Sequence, residues 1–306
     1  MSEILTLPLR SLKSLKRFED YNPIAVFVFF AGAILPAMFC LDIILLLISF
    51  AGGMSLLFSL KGKAAAKSLF LYLIVPIAGF ILNPLFYHNG KTVLFLINDT
   101  PITFESAFYG MSAGLMITAV LVWFRAFSLI MTSDRLLYIF GAASPKLALI
   151  LSMTLRYIPL YTRQIKKIRM ASKAMGLYRE DTLIDRLRGS VRVFSAMVTW
   201  GLENGVITAD SMSARGYGIG RRSRYAIFGW HAFDGLLIAA SAILCAGVLV
   251  GAGFYAFGFE YYPEISVVPI SAASCLCYAA YGILVFIPVF INIKEGLTWR
   301  SLQSET

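Results

Sequence analysis

No feature constrains this chain more than its uninterrupted apolar runs. Between Ala64 and Phe86 the only charged side chain is Lys67. A helix of that length reaches across a bilayer, for which roughly 17–25 apolar residues suffice. Comparable runs are Ile24 to Cys40, Ile43 to Leu60, Phe108 to Met131, Phe228 to Phe257 and Val267 to Ile293. Inside lipid a backbone must satisfy its own hydrogen bonds, so each run is expected to be a helix. The expected fold class is therefore all-α: a polytopic membrane protein of about six transmembrane helices. Only Leu41-Asp42 separates the first two runs, so that link is a tight turn.

Composition agrees. The chain is 58% hydrophobic and 14% charged, where a soluble domain carries about 25% charged residues. So little polar surface leaves lipid as the solvent, and the lipid bilayer is the first expected partner. The net charge of +10 does not point to nucleic acid, because the basic residues flank apolar runs and collect on one predicted side. Lys61 and Lys63 sit in one such turn, with Lys67 close by. Sixteen of the 27 Lys and Arg fall between Asp134 and Phe228. The other side shows Asp42, Asp99 and Glu105 against Lys91, then Glu260 and Glu264. By the positive-inside bias the basic side is cytoplasmic. Six crossings then place both termini in the cytoplasm of a bacterial or archaeal cell, in its inner membrane. Met1-Ser2-Glu3 lacks a basic stretch followed directly by an apolar core, so no cleaved signal peptide is expected.

Metal and nucleophile chemistry find little to work with. Cys40, Cys245, Cys275 and Cys277 lie in or beside apolar runs and read as packed or lipid-facing residues. The histidines are His88 and His231 alone. His231 and Asp234 form an i, i+3 pair beside Trp230, read as an interfacial anchor rather than a metal site. Arg125, near the inner end of the fourth run, is expected to snorkel to the cytoplasmic interface. An intramembrane enzyme would need paired acids or histidines on facing spans, and the spans are almost free of them.

The chain divides into three parts. Residues 1–133 hold the first membrane helices, with an external loop at about 87–105. In that loop Thr92 to Ile97 reads as a strand, Asn98-Asp99-Thr100-Pro101 as a turn and Ile102 to Phe104 as a second strand. The pattern predicts a small extracellular β-hairpin, most simply an ordered loop. Residues 134–227 form a basic cytoplasmic segment, and 228–306 the last membrane helices with a short tail.

The cytoplasmic segment is helical in pattern. Pro145 suits a first turn, and no break follows from Lys146 to Gly176 except Pro159, expected to kink the helix. Leu147 to Tyr161 is apolar nearly all round. Beyond it Ile165, Ile168, Ser172 and Met175 line one face, with Arg163, Lys166, Lys167, Arg169 and Lys173 over much of the rest. A second helix is expected from about Asp181 to Arg215. It carries Leu183, Leu187, Val191, Phe194 and Val198 at helical spacing, and Gly216 and Gly218 supply its stop. Both helices are too polar on one face to span, so they are expected to lie across the cytoplasmic mouth. Met153, Met170, Met197 and Met212 offer either ordinary packing or an adaptable surface.

Each helix ends in a similar signature: Ala171-Ser172-Lys173-Ala174-Met175-Gly176, and Ala209-Asp210-Ser211-Met212-Ser213-Ala214-Arg215-Gly216-Tyr217. Small residues beside a capping glycine let another backbone come close, and an arginine there reaches helix carbonyls or a partner's carboxylate. Here the chain resembles the transmembrane T components of energy-coupling factor (ECF) transporters, the cobalt-transport membrane component family. Their two cytoplasmic coupling helices end in Ala-Arg-Gly motifs. Ala209, Met212, Ala214, Arg215, Gly216 and Tyr217 match A-x-x-M-x-A-R-G-[FY]. Leu155-Arg156-Tyr157-Ile158-Pro159 resembles L-R-F-I-P, and counting on from it Ala171, Ala174 and Gly176 match A-x-x-A-R-G. Met175 stands where the family has its first arginine, and Arg163-Gln164 where it often has two acids.

The resemblance implies a coupling subunit. Two ABC ATPase subunits would dock on the coupling helices, and a separate membrane S component would bind a vitamin or transition-metal ion. ATP and Mg would belong to the ATPases, with no cofactor in this chain, and no phosphate-binding G-x-x-x-x-G-K-[ST] occurs. Ala171, Ala174, Met175 and Gly176 would form one coupling motif; Ala209, Met212, Ala214, Arg215 and Gly216 the other. The plain alternative for Arg215 is a solvated positive-inside residue. The alternative for the chain is the permease of a conventional ABC transporter, which would use a short E-A-A-x-x-x-G loop. The charge asymmetry makes the topology testable. In intact cells a membrane-impermeant thiol reagent is expected to label a cysteine placed at Asn98 and to spare one at Arg188. Labelling at Arg188 would overturn the orientation.

Overall fold

The computed structural model describes residues 18–62, 64–97, 100–177, 182–220, 228–253, 259–263, 265–267 and 272–304. The expectations placed on Met1-Ser2-Glu3, Lys63, Asn98-Asp99, Asp181, Glu264 and Phe254 to Phe257 lie outside these residues. Two compact units divide the chain: Met1–Arg135 with Phe228–Thr306, and Leu136–Ile227.

The first unit is a bundle of apolar helices. After a short 3-10 turn at Phe18–Asp20 come α1 (Pro23–Phe39), α2 (Ile43–Lys61), α3 (Ala64–Phe86), β1 (Val93–Ile97), β2 (Thr100–Thr103) and α4 (Phe104–Ile130). The C-terminal part adds α8 (Ala232–Gly253), β3 (Phe259–Glu260), β4 (Ser266–Val267) and α9 (Ala272–Ser304). Among the described residues five helices are long and apolar enough to cross a membrane; α1, with 17 residues, is shorter. At 1.5 Å per residue α1 still spans about 25 Å. The protein is thus a polytopic all-α membrane protein.

Sequence explains where most of these helices stop and start. Asn22 caps α1 by accepting from the Ile24 N–H at 3.0 Å, and Pro23 occupies the first turn. Asp42 caps α2, accepting from Ile44 N at 2.9 Å and Leu45 N at 3.3 Å. Gly62, at φ +58°, ends α2 in a backbone region that side chains rarely adopt. Three spans differ from expectation at their ends. The fourth span begins four residues early, at Phe104, directly after Thr103 in the N-cap position. The fifth span is not helical at Phe228, because Asp234 fixes its first turn by accepting from His231 N at 2.9 Å. Val267 belongs to β4 rather than the sixth span, and α9 instead runs on to Ser304.

Lipid tails are as apolar as leucine, so helices here are held by close packing and hydrogen bonds rather than by escape from water. At the centre Trp123 is fully buried and donates from Nε1 to Ser49 Oγ at 3.0 Å. Phe29 and Phe30 meet its ring edge-to-face, and Phe18 closes the cluster against both. Gly52 lies so close to Val285 that an added Cβ would stand 1.7 Å from its Cγ1. Tyr281, fully buried on α9, donates to the Ala33 carbonyl at 2.8 Å.

The α3–α4 pair is the most extensive contact of the unit. Gly79 packs on Gly110, and Gly114 on Pro76, with backbones in direct contact. Pro76 has no N–H and so frees the carbonyl four residues back, that of Tyr72. Thr118 Oγ1 lies 3.3 Å from that carbonyl, and its shorter bond, 2.8 Å, goes to the Gly114 carbonyl within α4. Asn83 adds a bond from Nδ2 to the Ser106 carbonyl at 2.7 Å.

The hairpin expected in the loop is present, with Thr100 and Pro101 in its second strand rather than in the turn and Phe104 opening α4 rather than ending that strand. β1 pairs antiparallel with β2, from Val93↔Thr103 to Ile97↔Thr100, with an irregularity between Val93 and Phe95. Its base is fixed by the buried Glu105, which accepts from Thr92 N at 3.0 Å and Thr92 Oγ1 at 2.6 Å. At the same end of the unit, Asp42 Oδ2 accepts from Tyr278 and the Leu41 carbonyl from Tyr261, both at 2.7 Å. Burial pushes the Tyr261 phenol up to about 12, so it remains a donor throughout the physiological range.

Close backbone approach makes the glycines testable. Gly110→Ala would place a Cβ 2.2 Å from the Gly79 carbonyl oxygen and 2.5 Å from Asn83 Cβ. We expect a destabilisation of about 1–3 kcal/mol or more, read as a lower unfolding temperature in detergent. Gly247→Ala, where nothing lies within 4 Å, is expected to leave that temperature unchanged or raise it slightly.

Candidate functional site

The second unit holds the end of α5 (Ser133–Ala143), then α6 (Pro145–Ala174) and α7 (Leu183–Ala214). α6 remains one helix through Pro159. α7 starts one residue after Thr182, whose Oγ1 accepts from Asp185 N at 3.1 Å and donates to Asp185 Oδ2 at 2.6 Å. That Thr-x-x-Asp pattern is a capping signal that a reading based on Asp181 passes over.

α6 and α7 pack antiparallel along a narrow seam. Tyr157 Oη lies 3.0 Å from Thr208 Oγ1. Tyr161 stacks on Tyr157 and meets Trp200 edge-to-face at 5.4 Å. Arg192 Nη1 donates to the Leu177 carbonyl at 3.1 Å. Gly201 is needed opposite Tyr161, whose Oη would lie 3.0 Å from an added Cβ. On α6 the packed stripe is Tyr157, Tyr161, Gln164, Ile168 and the buried Ser172. Ile165 and Met175, expected on the same face as Ile168 and Ser172, are 37% and 64% exposed. On α7 the buried residues are Gly189 and Val193. Leu183, Leu187, Val191, Phe194 and Val198 are exposed, forming an apolar stripe away from the seam.

Because the helices run antiparallel, their C-terminal ends lie at opposite ends of the pair. Arg192, beside Leu177, and Arg215 are roughly 35 Å apart along α7 at 1.5 Å per residue. The two ends nevertheless share one backbone design. In α6 the N–H of Met175 bonds Ala171 O at 3.0 Å, Gly176 N bonds Lys173 O at 3.0 Å and Leu177 N bonds Ser172 O at 2.9 Å. In α7 Arg215 N bonds Ser211 O at 3.2 Å, Gly216 N bonds Ser213 O at 3.0 Å and Tyr217 N bonds Met212 O at 3.0 Å. The glycines sit at φ +68° and +75°. Each is a Schellman motif, in which a left-handed glycine folds the chain back on the last carbonyls. Met175 (φ −80°, ψ 1°) and Arg215 (φ −81°, ψ 6°) occupy the same C-cap position.

Around these caps the side chains are open. Ala171, Ala174, Met175 and Gly176 are exposed, as are Ala209, Ala214 and Arg215; Met212 and Gly216 are half-buried. Among the described residues no carboxylate forms an ion pair with Arg215. The caps therefore present small residues and one protruding side chain each, a cation on α7 and a thioether on α6. Of the other methionines, Met153 and Met197 are half-buried and Met170 is exposed.

The remaining singled-out residues are elsewhere. Asp234 is buried, with Oδ1 accepting from Asn22 N at 3.1 Å and Oδ2 from His231 N, so it ties the start of α8 to the start of α1. His231 Nδ1 lies 3.6 Å from its Oδ2. Among the described residues no group of three or more His, Cys, Asp and Glu could hold a metal ion. Arg125 is exposed on α4. Cys40, Cys245 and Cys277 are buried, Cys275 is exposed and all four are free thiols.

Comparison with known proteins agrees with this geometry. The family model of the cobalt transport protein CbiQ matches residues 19–226, which include both caps. The energy-coupling factor transporter transmembrane protein EcfT 1 of Listeria monocytogenes is 31% identical over 106 residues, 34% of this chain and 40% of that protein. EcfT of Streptococcus equi is 27% identical over 197 residues, 58% of this chain and 72% of that protein. EcfT of Streptococcus thermophilus is 27% identical over 181 residues, 54% and 66% respectively. The match to the Listeria protein thus spans less than half of its length. With a family match over most of its length, the chain belongs to the cobalt transport protein family, as a transmembrane T component of the energy-coupling factor type.

Proposed function

We propose that this chain is the membrane-embedded coupling subunit of an ATP-driven ECF-type importer. On this reading α6 and α7 are its coupling helices. Two cytoplasmic ABC ATPase subunits engage the two capped ends, and a separate membrane S component carries a vitamin or transition-metal ion. ATP and Mg stay on the ATPases, and this chain transmits their closure to the S component without chemistry of its own. The relatives are named as transmembrane components of energy-coupling factor transporters, which fits a subunit of a larger machine.

One observation carries the proposal: two helix ends of identical backbone design, at opposite ends of one antiparallel pair. A Schellman cap leaves its C-cap side chain free while its glycine lets a partner's backbone approach. Two such ends, roughly 35 Å apart, give two separate grips to two partner subunits. The seam of Tyr157, Tyr161, Trp200 and Thr208 holds their spacing.

The two grips differ in strength. Arg215 can pair with a partner carboxylate, and its removal would strand that carboxylate in a partly desolvated groove at a cost of about 2–5 kcal/mol. Met175 offers packing alone, so Met175→Ala is expected to cost about 1–2 kcal/mol. The expected result is that Arg215→Ala abolishes or strongly impairs ATPase co-purification and substrate uptake, while Met175→Ala impairs both mildly. Both variants are measured at matched membrane levels. Equal losses, or none from Arg215→Ala, would remove the second cap as the dominant anchor.

The purified chain alone is expected to hydrolyse no ATP. A tagged chain isolated from its native host in mild detergent is expected to retain an ABC ATPase. Persistent isolation without one would overturn the coupling role.

A further inference from the structure

The β1–β2 hairpin is a built feature that the coupling role leaves unused. Its base is rigid. Glu105 grips Thr92, Thr103 Oγ1 donates to Asn89 O at 2.8 Å, Ser106 Oγ donates to Tyr87 O at 2.6 Å, and Lys91 N donates to Pro263 O at 3.2 Å. Gly90, at φ +144°, lies against Thr103 and Glu105 with no room for a side chain. The blade above this base is the opposite: apolar and uncovered. Val93, Leu94, Phe95 and Leu96 are 48%, 50%, 56% and 68% exposed. Successive side chains of a strand point to opposite faces. Phe95, opposite Ile102, therefore exposes one face of β1 and Leu96, opposite Pro101, the other; the irregularity between Val93 and Phe95 puts Val93, opposite Thr103, on the Leu96 face.

We propose that this hairpin is a membrane-binding element, lying along the headgroup–acyl boundary of the bilayer that α3 and α4 cross. Three observations select lipid as the occupant. First, position is fixed by connectivity: β1 begins seven residues after α3 ends, and β2 runs directly into α4. The hairpin base is thus at the membrane boundary. A five-residue strand is only about 16 Å long, so the blade stays near that boundary. Second, an exposed apolar belt leads up to the hairpin. The outer end of α3 exposes Ile81, Leu82, Leu85 and Phe86, and Tyr87 follows at 62% exposure. That belt faces lipid, and the blade extends it. An aromatic at the end of such a belt is the usual mark of the interface. Third, both faces of β1 are bare. A docked protein covers one face and leaves the other in water, whereas fluid lipid reaches both. Among the described residues the outer edge of β1 is unpaired, which places the blade at the boundary rather than in the hydrocarbon core, where open edges do not occur.

The inference rests on membrane crossing and not on the coupling role, so it stands or falls separately. The test uses the full chain in phosphatidylcholine–phosphatidylglycerol vesicles, with Cys275→Ala to remove the exposed native thiol. Nitroxide labels are placed on Phe95→Cys and Leu96→Cys, one per face. Ile77→Cys, on the exposed part of α3, is the lipid reference, and Arg188→Cys, on α7, is the aqueous one. Collision rates are read with oxygen, which concentrates in lipid, and with a water-soluble nickel chelate. At both hairpin positions the oxygen-to-nickel ratio is expected to be several-fold above that at Arg188 and to approach that at Ile77. A ratio equal to that at Arg188 on either face means water and overturns the proposal. Low collision rates with both reagents mean that protein, including a second copy of this chain, covers the blade, and overturn it equally. Labelled protein is scored only if it elutes as a single species; Val93→Cys replaces Leu96→Cys, whose face it shares, if that variant does not.

Discussion

The membrane unit depends on helices approaching each other at backbone distance. Lipid gives no hydrophobic drive for one helix to choose another, so choice comes from shape and from the few polar groups that must be satisfied. Gly79 against Gly110, and Gly114 against Pro76, let α3 and α4 touch along their length. The same contact brings the Thr118 hydroxyl within 3.3 Å of the Tyr72 carbonyl that Pro76 leaves free. Gly52 does the same for α2 against α9, and Gly53 for α2 against Trp123. Side chains at these positions would hold the helices apart and strand the Trp123–Ser49 hydrogen bond inside a medium with no water to replace it.

Polar side chains at the helix ends perform a second task, linking segments far apart in sequence. Asp42 caps α2 with one oxygen and receives Tyr278 of α9 on the other. Asp234 receives the backbone of His231 and of Asn22, joining the starts of α8 and α1. Asn292 accepts from the backbone of Phe18 through Oδ1 at 3.1 Å and donates through Nδ2 to Ser59 at 3.0 Å. Asp42 and Asp234 stand at helix starts, where sequence shows a cap but not the distant partner that the cap also holds; Asn292 makes its links from within α9.

That distinction governs what could be read in advance. Helix existence was legible because length and hydropathy act locally: the third span is met at both ends, Ala64 and Phe86. Stops were legible where chemistry forces them, as at Asp42, Gly216 and Gly218. The hairpin was legible from its alternating strand and turn residues. Less legible was anything settled by a partner. Phe228 reads as membrane-compatible, yet α8 starts at Ala232 behind the Asp234 cap. Val267 reads as part of a span, yet it pairs with Phe259 in a small sheet. Ile165 shares an apolar face with Ile168 on paper, but Tyr161 and Gln164 take the seam instead. Periodicity shows that a helix has an apolar face; it does not show which neighbour covers it.

The two candidate coupling ends show the same limit from the other side. Their sequences differ at the position where charge matters most, Met175 against Arg215, and this invites the reading that one end is degenerate. The backbone says otherwise. Both helices close with the same hydrogen bonds, the same left-handed glycine and C-cap torsions that agree within a few degrees. A degenerate end would have no reason to keep Gly176, since a left-handed cap is costly for other residues. α6 also keeps a cation in its last turn, Lys173, where α7 has none before its C-cap. The positive charge that complements the helix dipole is thus moved inward by two residues rather than lost. Shape is held constant while charge at the protruding position is exchanged for a thioether. On the coupling reading, the two ends bear load in the same way and differ in what they recognise: a carboxylate at Arg215, an apolar pocket at Met175.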